Sequence, residues 1–263
     1  MAKKEKVEYI EKKGILGNAE DYHVYHMLKQ DYLIAYITGF ALGTAVVYIF
    51  FHSLILAVLS GVACAIKAPG IYNEMKKKAR LKQLRLQFKD LLESLTSSYS
   101  AGQNTQNAFV DAKNDMVSIY GEESDIVKEL QIIIAGLANN INIEQLLLDF
   151  AERCELDDVM SFANVFEVCN RQGGDLKKVV SDTREIINDK IEIEMEIETM
   201  LSGNKNELNV MMVMPLVIVI SMSSMGTMTI ASNTPINVLI KIICLGIFGL
   251  AYVIGRKIVD IKI

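Results

Sequence analysis

Few residues in this 263-residue chain have the types and spacing that chemistry requires. His23 and His26 are three residues apart, as on one face of a helix, but nothing near them in sequence completes a metal ligand set. Four cysteines are scattered along the chain: Cys64, Cys154, Cys169 and Cys244. None lies in a CxxC pair or in metal-ligand spacing, so we interpret all four as reduced, small apolar residues.

A run of alternating carboxylates is the other candidate for chemistry: Glu192, Glu194, Glu196 and Glu198. We interpret these side chains as solvated or interface charges rather than as catalytic pairs. The sequence has no GxxxxGK[ST], HExxH or GxSxG motif. Gly173-Gly174 follows a helical pattern rather than a strand, so it is no nucleotide fingerprint. We therefore predict a protein that is not an enzyme and that holds no catalytic residue, cofactor or metal.

Composition indicates that apolar and polar segments are segregated along the chain. Hydrophobic residues make up 51% and charged residues 22%, with a mean hydropathy of +0.26. This combination is typical of a chain with some segments in lipid and others in water. The net charge of −5 gives no support for nucleic-acid binding.

Residues 1–31 form a polar arm with six lysines and six acidic residues. A signal peptide would begin its apolar region earlier, so we predict a retained cytosolic arm. Within it, 19–30 is a candidate interfacial helix. Tyr22 and Tyr25 within it, and Tyr32 just after it, suit the lipid headgroup zone.

Residues 32–66 are almost wholly apolar and are too many for one membrane span of about 20 residues. Their length suits two short spans, so 32–67 is predicted to be a transmembrane hairpin. We place its turn at His52-Ser53, between spans at 32–50 and 54–67. One long, tilted helix is the alternative.

Small residues recur every four positions in both predicted spans. Gly39 and Gly43 form a GxxxG pair, and Gly61 lies in a row with Ala57 and Ala65. Such rows let helix backbones approach closely in lipid. The alternative is that small residues are simply common in spans.

The segment 67–89 carries eight Lys or Arg against one Glu immediately after a span. This excess places it on the cytoplasmic side and suits it to grip anionic lipid headgroups, although a solvated helix face explains the same residues. Two further spans are predicted at 208–231, with Pro215 as a candidate kink, and at 236–254. Lys241 lies near enough to the outer end to snorkel.

The predicted outer turns, near 51–53 and 231–235, carry no basic residue. Both termini, including the tail 255–263, and the domain between the spans are therefore predicted to be cytoplasmic. The predicted fold is all-α: a multi-pass membrane protein with about four transmembrane helices and a cytosolic helical bundle. The transmembrane packing residues are Gly39, Gly43, Gly61 and Pro215.

The bundle, 68–207, shows amphipathic helical patterning interrupted by three main breaks: 100–105, 137–142 and 171–176. Predicted helices include 73–100, 105–119, 143–153 and a last one from Asp175 to about 201. The alternation in 191–198 reads locally as a strand. We predict helix there because no partner strand is evident and Glu and Met favour helices. A kink or short turn is predicted at 202–206.

The order of these breaks and spans over about 80–230 resembles the type II secretion system F-domain family, and is most similar to the TadB/TadC platform proteins of tight-adherence (Flp) pili. The resemblance is carried by 91–112, 137–154 and 166–187. The matching turn residues are Gly102, Gly173, Gly174, Asp175 and Leu176. The middle turn departs from the family pattern, since it has Asn139 and Asn140 where glycine is usual.

The resemblance implies an inner-membrane platform protein that couples a cytosolic ATPase to pilin extraction and filament assembly. It implies as partners a hexameric secretion ATPase, pilin subunits, membrane lipids and a second platform protein or a second copy of the chain. Gly102, Asn140 and the 173–176 turn are then structural corners. Two alternatives stay open: a membrane receptor or scaffold unrelated to filaments, and a transporter subunit marked by Lys241.

Overall fold

A computed structural model describes most of the chain: residues 12–17, 19–22, 24–25, 27–51, 53–224, 243–244, 246–247, 249–251 and 253–255. All regular secondary structure in these residues is helical, and no strand occurs among them, which confirms the all-α prediction. Several predicted features lie wholly or largely outside these residues: His23, His26, His52, the turn 231–235, Lys241 and the tail 255–263.

Seven helices are described: α1 (Lys29–Phe51), α2 (Leu54–Ser100), α3 (Thr105–Tyr120), α4 (Asp125–Ala138), α5 (Ile143–Cys154), α6 (Asp157–Gln172) and α7 (Leu176–Ser224). The chain divides into two compact units. The bundle unit is Met1–His26 with Glu74–Ile191, and the hairpin unit is Met27–Asn73 with Glu192–Ile263. Helices α2 and α7 contribute residues to both.

In the hairpin unit, α1 ends at Phe51 and α2 begins at Leu54. The predicted turn at 52–53 is therefore correct, and the alternative of one long helix is wrong. Lys29–Ile49 and Leu54–Ser100 are long and apolar enough to cross a membrane, by length and composition. They are the two such helices among the residues described, which is consistent with a membrane protein.

Small residues bring α1 and α2 close together. A Cβ atom built on Gly39 would lie 2.5 Å from the Cβ of Ala68, and one on Gly43 would lie 2.8 Å from the Cβ of Cys64. A Cβ on Gly61 would likewise collide with side chains of α1. Contacts this short do not occur between real side chains, so glycine at these positions sets the distance between the helices. That this packing lies in lipid stays a prediction.

Both long helices continue through residues that often end helices. The predicted boundary at 67/68 falls inside α2, which runs through Pro69 although proline donates no backbone hydrogen bond. Helix α7 spans 49 residues, includes 191–198 as predicted, and contains Pro215. The turn proposed at 202–206 is wrong, because a glycine such as Gly203 costs a helix only about 1 kcal/mol relative to alanine.

The interfacial helix predicted at 19–30 is also wrong. Among its described residues, those before Lys29 are not helical. Tyr22 is 2% exposed and belongs to the hydrophobic core of the bundle unit rather than to a headgroup zone. Its burial shows that the arm packs on the helices of this unit.

The centre of that core is aromatic. Phe88 of α2 lies against Phe150 of α5 and Phe162 of α6, with ring centroids 6.2 and 5.6 Å apart. Phe162 also packs on Phe166 at 5.5 Å. Edge-on and tilted aromatic pairs of this kind add to the stability gained by burial. They join α2, α5 and α6 in one core.

Candidate functional site: the surfaces of the helical bundle

The corners of the bundle have the left-handed backbone that glycine and asparagine tolerate. Gly102, Asn140 and Gly173 have φ of +79°, +58° and +69°. Most other residues adopt this conformation at a cost of about 1 kcal/mol. Beside the first corner, the side chain of Asn104 accepts a hydrogen bond from the Asn107 amide at 2.8 Å and so begins α3.

The 173–176 turn connects α6 to α7 tightly. A Cβ on Gly174 would lie 2.5 Å from the Sγ of Cys169, so a side chain has no room there. Asp175 Oδ1 accepts a hydrogen bond from the Lys178 amide at 3.2 Å, which caps the first turn of α7. Leu176 packs against the hydrophobic core. Each of the four residues therefore has a local structural task.

Two helices of the bundle, α4 and α5, begin without a capping hydrogen bond from their own N-cap side chain. Asn142 and Ser124 occupy the N-cap positions of α5 and α4, but neither side chain makes a capping hydrogen bond to a described residue. Instead, buried Gln87 of α2 accepts a hydrogen bond from the Ile126 amide at 3.3 Å. A neighbouring helix thus caps α4, and no local sequence pattern reveals this.

A buried ion pair joins α4 to α5. Arg153 Nη1 donates to Glu129 Oε2 at 2.9 Å, and Nη2 donates to Glu129 Oε1. Both side chains are 1% exposed. Arg153 Nε also donates to Asp149 Oδ2 at 2.8 Å. Since buried charges are costly unless paired in good geometry, these contacts determine how the two helices face each other.

Tyr22 of the arm completes this cluster. Its hydroxyl donates to Glu129 Oε2 at 2.8 Å, and its ring meets Phe150 edge-on at 6.0 Å. Burial raises the pKa of Tyr22, and the negative charge of Glu129 raises it further. Tyr22 is the main contact that sequence reasoning missed. The arm has no regular secondary structure, so no periodicity marks which of its residues are buried.

Arg80, in the basic segment of α2, is also part of the bundle. It donates to Asp125 through Nε at 2.8 Å and Nη2 at 2.6 Å, and to Glu20 of the arm at 2.8 Å. Its guanidinium lies 5.1 Å from the centroid of the Tyr22 ring. The hydrogen bonds to Asp125, more than those to Glu20, raise the pKa of Arg80 above its ordinary value.

Asp158 links three helices. Its carboxylate accepts from Arg85 Nε of α2 and from Lys190 Nζ of α7, each at 2.6 Å, while its side chain is 7% exposed. Burial acts to raise the pKa of Asp158. The hydrogen bonds from Lys190 and Arg85 outweigh it and hold the pKa below its ordinary value. Arg85, like Arg80, therefore has a structural partner.

An acidic face on α7 contrasts with the basic segment. Asp182, Glu185 and Asp189 are exposed and follow one another at spacings of three and four residues, which places them on one side of the helix. Ile186, beside them, is 57% exposed. Further along, Glu192 and Glu196 are exposed, and the side chain of Glu198 lies outside the described residues.

The remaining residues that could carry out chemistry, the cysteines and the possible metal ligands, form no reactive or metal-binding site among the residues described. The four cysteines are free thiols, and burial raises the pKa of Cys154 to about 12. Within the described ranges, no group of three or more His, Cys, Asp or Glu side chains is placed to hold a metal ion. The features left for a function are the charged surfaces of α2 and α7, which could bind a partner of opposite charge.

No protein-family model, curated protein or solved structure matches the chain.

Replacing Glu129 tests the buried pair. We expect Glu129→Leu to lower the free energy of unfolding by about 3 kcal/mol, because the buried Arg153 cation loses its bidentate partner and keeps only the carboxylate of Asp149. The double variant Glu129→Leu/Arg153→Met is expected to recover at least about 1 kcal/mol. Chemical denaturation of the purified chain in detergent measures both. Glu123→Gln, which removes the exposed pair between Lys128 of α4 and Glu123 of the preceding turn, is the control and should change little. No recovery in the double variant would contradict a paired role.

Asp158→Asn tests the three-helix link by its pH dependence. Because the folded pKa of Asp158 is lowered, its contribution is fully present above the unfolded value of about 3.9 and is lost as the pH falls through the folded pKa. We expect the variant to be less stable by about 1–2 kcal/mol at pH 7, with the difference from wild type shrinking below about pH 4. Exposed Asp157→Asn is the control. A difference that does not change with pH would contradict this assignment.

Proposed function

We propose that this chain is a membrane platform protein of a type II secretion or tight-adherence pilus assembly machine, which couples a cytosolic ATPase to pilin extraction. The continuity of α2 carries the proposal. This 47-residue helix begins in a candidate membrane span at Leu54, and its second half contributes Leu84, Leu91 and Leu95 to the core of the bundle unit. A continuous helix transmits displacement along its axis with little deformation, which force coupling requires.

The proposed topology has four spans in the cytoplasmic membrane, with both termini and the bundle in the cytoplasm. The hairpin of α1 and α2 supplies two spans. The third, 208–231, begins within α7, which extends to Ser224. The fourth, 236–254, is inferred from sequence. The eight basic residues of 67–89 support the cytoplasmic assignment of the bundle.

The surface proposed to receive the ATPase is the acidic face of α7 formed by Asp182, Glu185 and Asp189. The rival surface is the basic segment of α2, but Arg80 and Arg85 in it are held in ion pairs within the bundle unit. An arginine that is already paired with a carboxylate of the bundle attracts a partner protein less strongly than an unpaired charge would, because its charge is already neutralised. The spans would contact pilins, and a second platform protein or second copy would complete the assembly.

Cysteine labelling tests the topology. In a background with the native cysteines replaced by alanine, a membrane-impermeant thiol reagent should label Ser53→Cys and Ser232→Cys from the outside of intact cells. It should label Lys13→Cys and Lys257→Cys only after the cells are opened, because basic segments stay in the cytoplasm. Protection of position 232 in intact cells would contradict the four-span arrangement.

Charge reversal tests the ATPase surface. We expect Asp182→Lys/Glu185→Lys/Asp189→Lys in the full chain to lower capture of the purified hexameric ATPase at least about 10-fold, since this loss needs only about 1.4 kcal/mol. Lys77→Glu/Lys78→Glu tests the basic segment in parallel.

Glu122→Lys/Glu123→Lys, at the exposed turn between α3 and α4, is the matched control and should bind normally. Unchanged binding in both test variants would contradict both proposed surfaces. No binding by the wild-type chain would favour a membrane scaffold unrelated to filaments.

A further inference from the structure

The arm, described over 12–17, 19–22 and 24–25, lies on the bundle unit without regular secondary structure of its own. We propose that it is a releasable strap, which docks into a socket formed by Arg80, Asp125, Glu129, Asp149 and Arg153 and opens while the bundle stays folded. This inference rests on contacts inside the bundle unit and is independent of the proposed function.

The socket is complete without the arm. Arg153 pairs with Glu129 through two hydrogen bonds and with Asp149 through a third. Arg80 pairs with Asp125 through two more. All of these contacts join bundle residues to one another, so release of the arm leaves every socket charge with a partner. An opening that strands no buried charge avoids the largest penalty that burial imposes.

The arm adds directed hydrogen bonds to these paired charges. The Ile15 amide donates to Asp149 Oδ1 at 3.1 Å, and the Glu20 carbonyl accepts from Arg153 Nη1 at 3.2 Å. The Lys12 ammonium donates to the Glu152 carbonyl at 2.8 Å and to Glu155 Oε1 at 3.1 Å. With the Tyr22 hydroxyl on Glu129, four points along the arm are fixed. A Cβ on Gly14 would lie 2.4 Å from the Cβ of Ala19 within the arm, and 3.0 Å from both Arg153 Nε and Asp149 Oδ2. This part of the arm therefore packs on itself and lies directly on the ion pair.

Few apolar side chains of the arm are buried against the bundle. Tyr22 is the one large apolar side chain buried among the described arm residues, whereas Ile15 is 53% exposed. A cavity of about 330 Å³ remains between the arm and α4, lined in part by Leu16, Lys128 and Ile132. Segments with few buried apolar contacts open at lower free energy than the core of their domain. The hydrogen bonds therefore fix the position of the arm on the bundle, whereas its few buried apolar contacts bind it only weakly.

Release would have a defined consequence. It would uncover the Glu129–Arg153 pair and the edge of Phe150, which Tyr22 covers in the docked state.

Hydrogen exchange on the full-length chain in detergent tests the strap. We expect Tyr22→Ala and Gly14→Val each to speed exchange in peptides covering 12–22 at least about 10-fold, while peptides from α3 to α6 exchange at the wild-type rate. Tyr22→Phe keeps the ring and removes only the hydroxyl, so its arm peptides should exchange at an intermediate rate. Ile15→Ala, which keeps the backbone amide and loses an exposed side chain, is the control and should match wild type.

Two results would overturn the proposal. In the first, peptides from α4 and α5 speed up as much as those of the arm, which would make the arm an integral part of the folded bundle. In the second, the arm peptides keep their wild-type rates in both Tyr22→Ala and Gly14→Val, which would remove the socket contacts as the cause of docking.

Discussion

Arg153 and Glu129 are buried at 1% exposure, and the bundle unit is arranged so that neither charge is left alone. Arg153 uses three of its nitrogens on Glu129, Asp149 and the carbonyl of Glu20. Because a single unpaired charge in this place would cost several kcal/mol, α4 and α5 have little freedom to slide or rotate against each other. The aromatic core gives these helices stability, and the ion pair gives them register.

The same logic extends outward along α2. Arg80 and Arg85 lie in a segment whose charge excess is a topology signal, yet both side chains are used inside the bundle unit, on Asp125 and Asp158. One stretch of sequence thus serves two purposes. Its lysines carry the charge asymmetry of the chain, while its arginines, with their planar forked donors, hold carboxylates on other helices.

Helix positions were largely predictable because the bundle helices are amphipathic and several of their ends carry glycine or asparagine. The 3.6-residue period survives in a sequence whatever the helix packs against. Contacts between distant residues leave no such trace. Gln87 caps α4 from 39 residues away, and Tyr22 reaches Glu129 across 107 residues. The local sequence around Tyr22, a polar arm before an apolar run, favours the headgroup zone, and it does not distinguish a lipid interface from the surface of a helical bundle.

The exposed acidic face of α7 gains importance from this pattern of pairing. Asp158, Glu129 and Asp125 are acidic residues whose charges are matched by arginine or lysine within the bundle unit. Asp182, Glu185 and Asp189 instead point outward beside the exposed Ile186, on a helix whose opposite side supplies Val180 and Ile187 to the core. Folding already uses the inner side of this helix, so its outer side is available for a partner. A partner with basic residues around an apolar contact would complement it best.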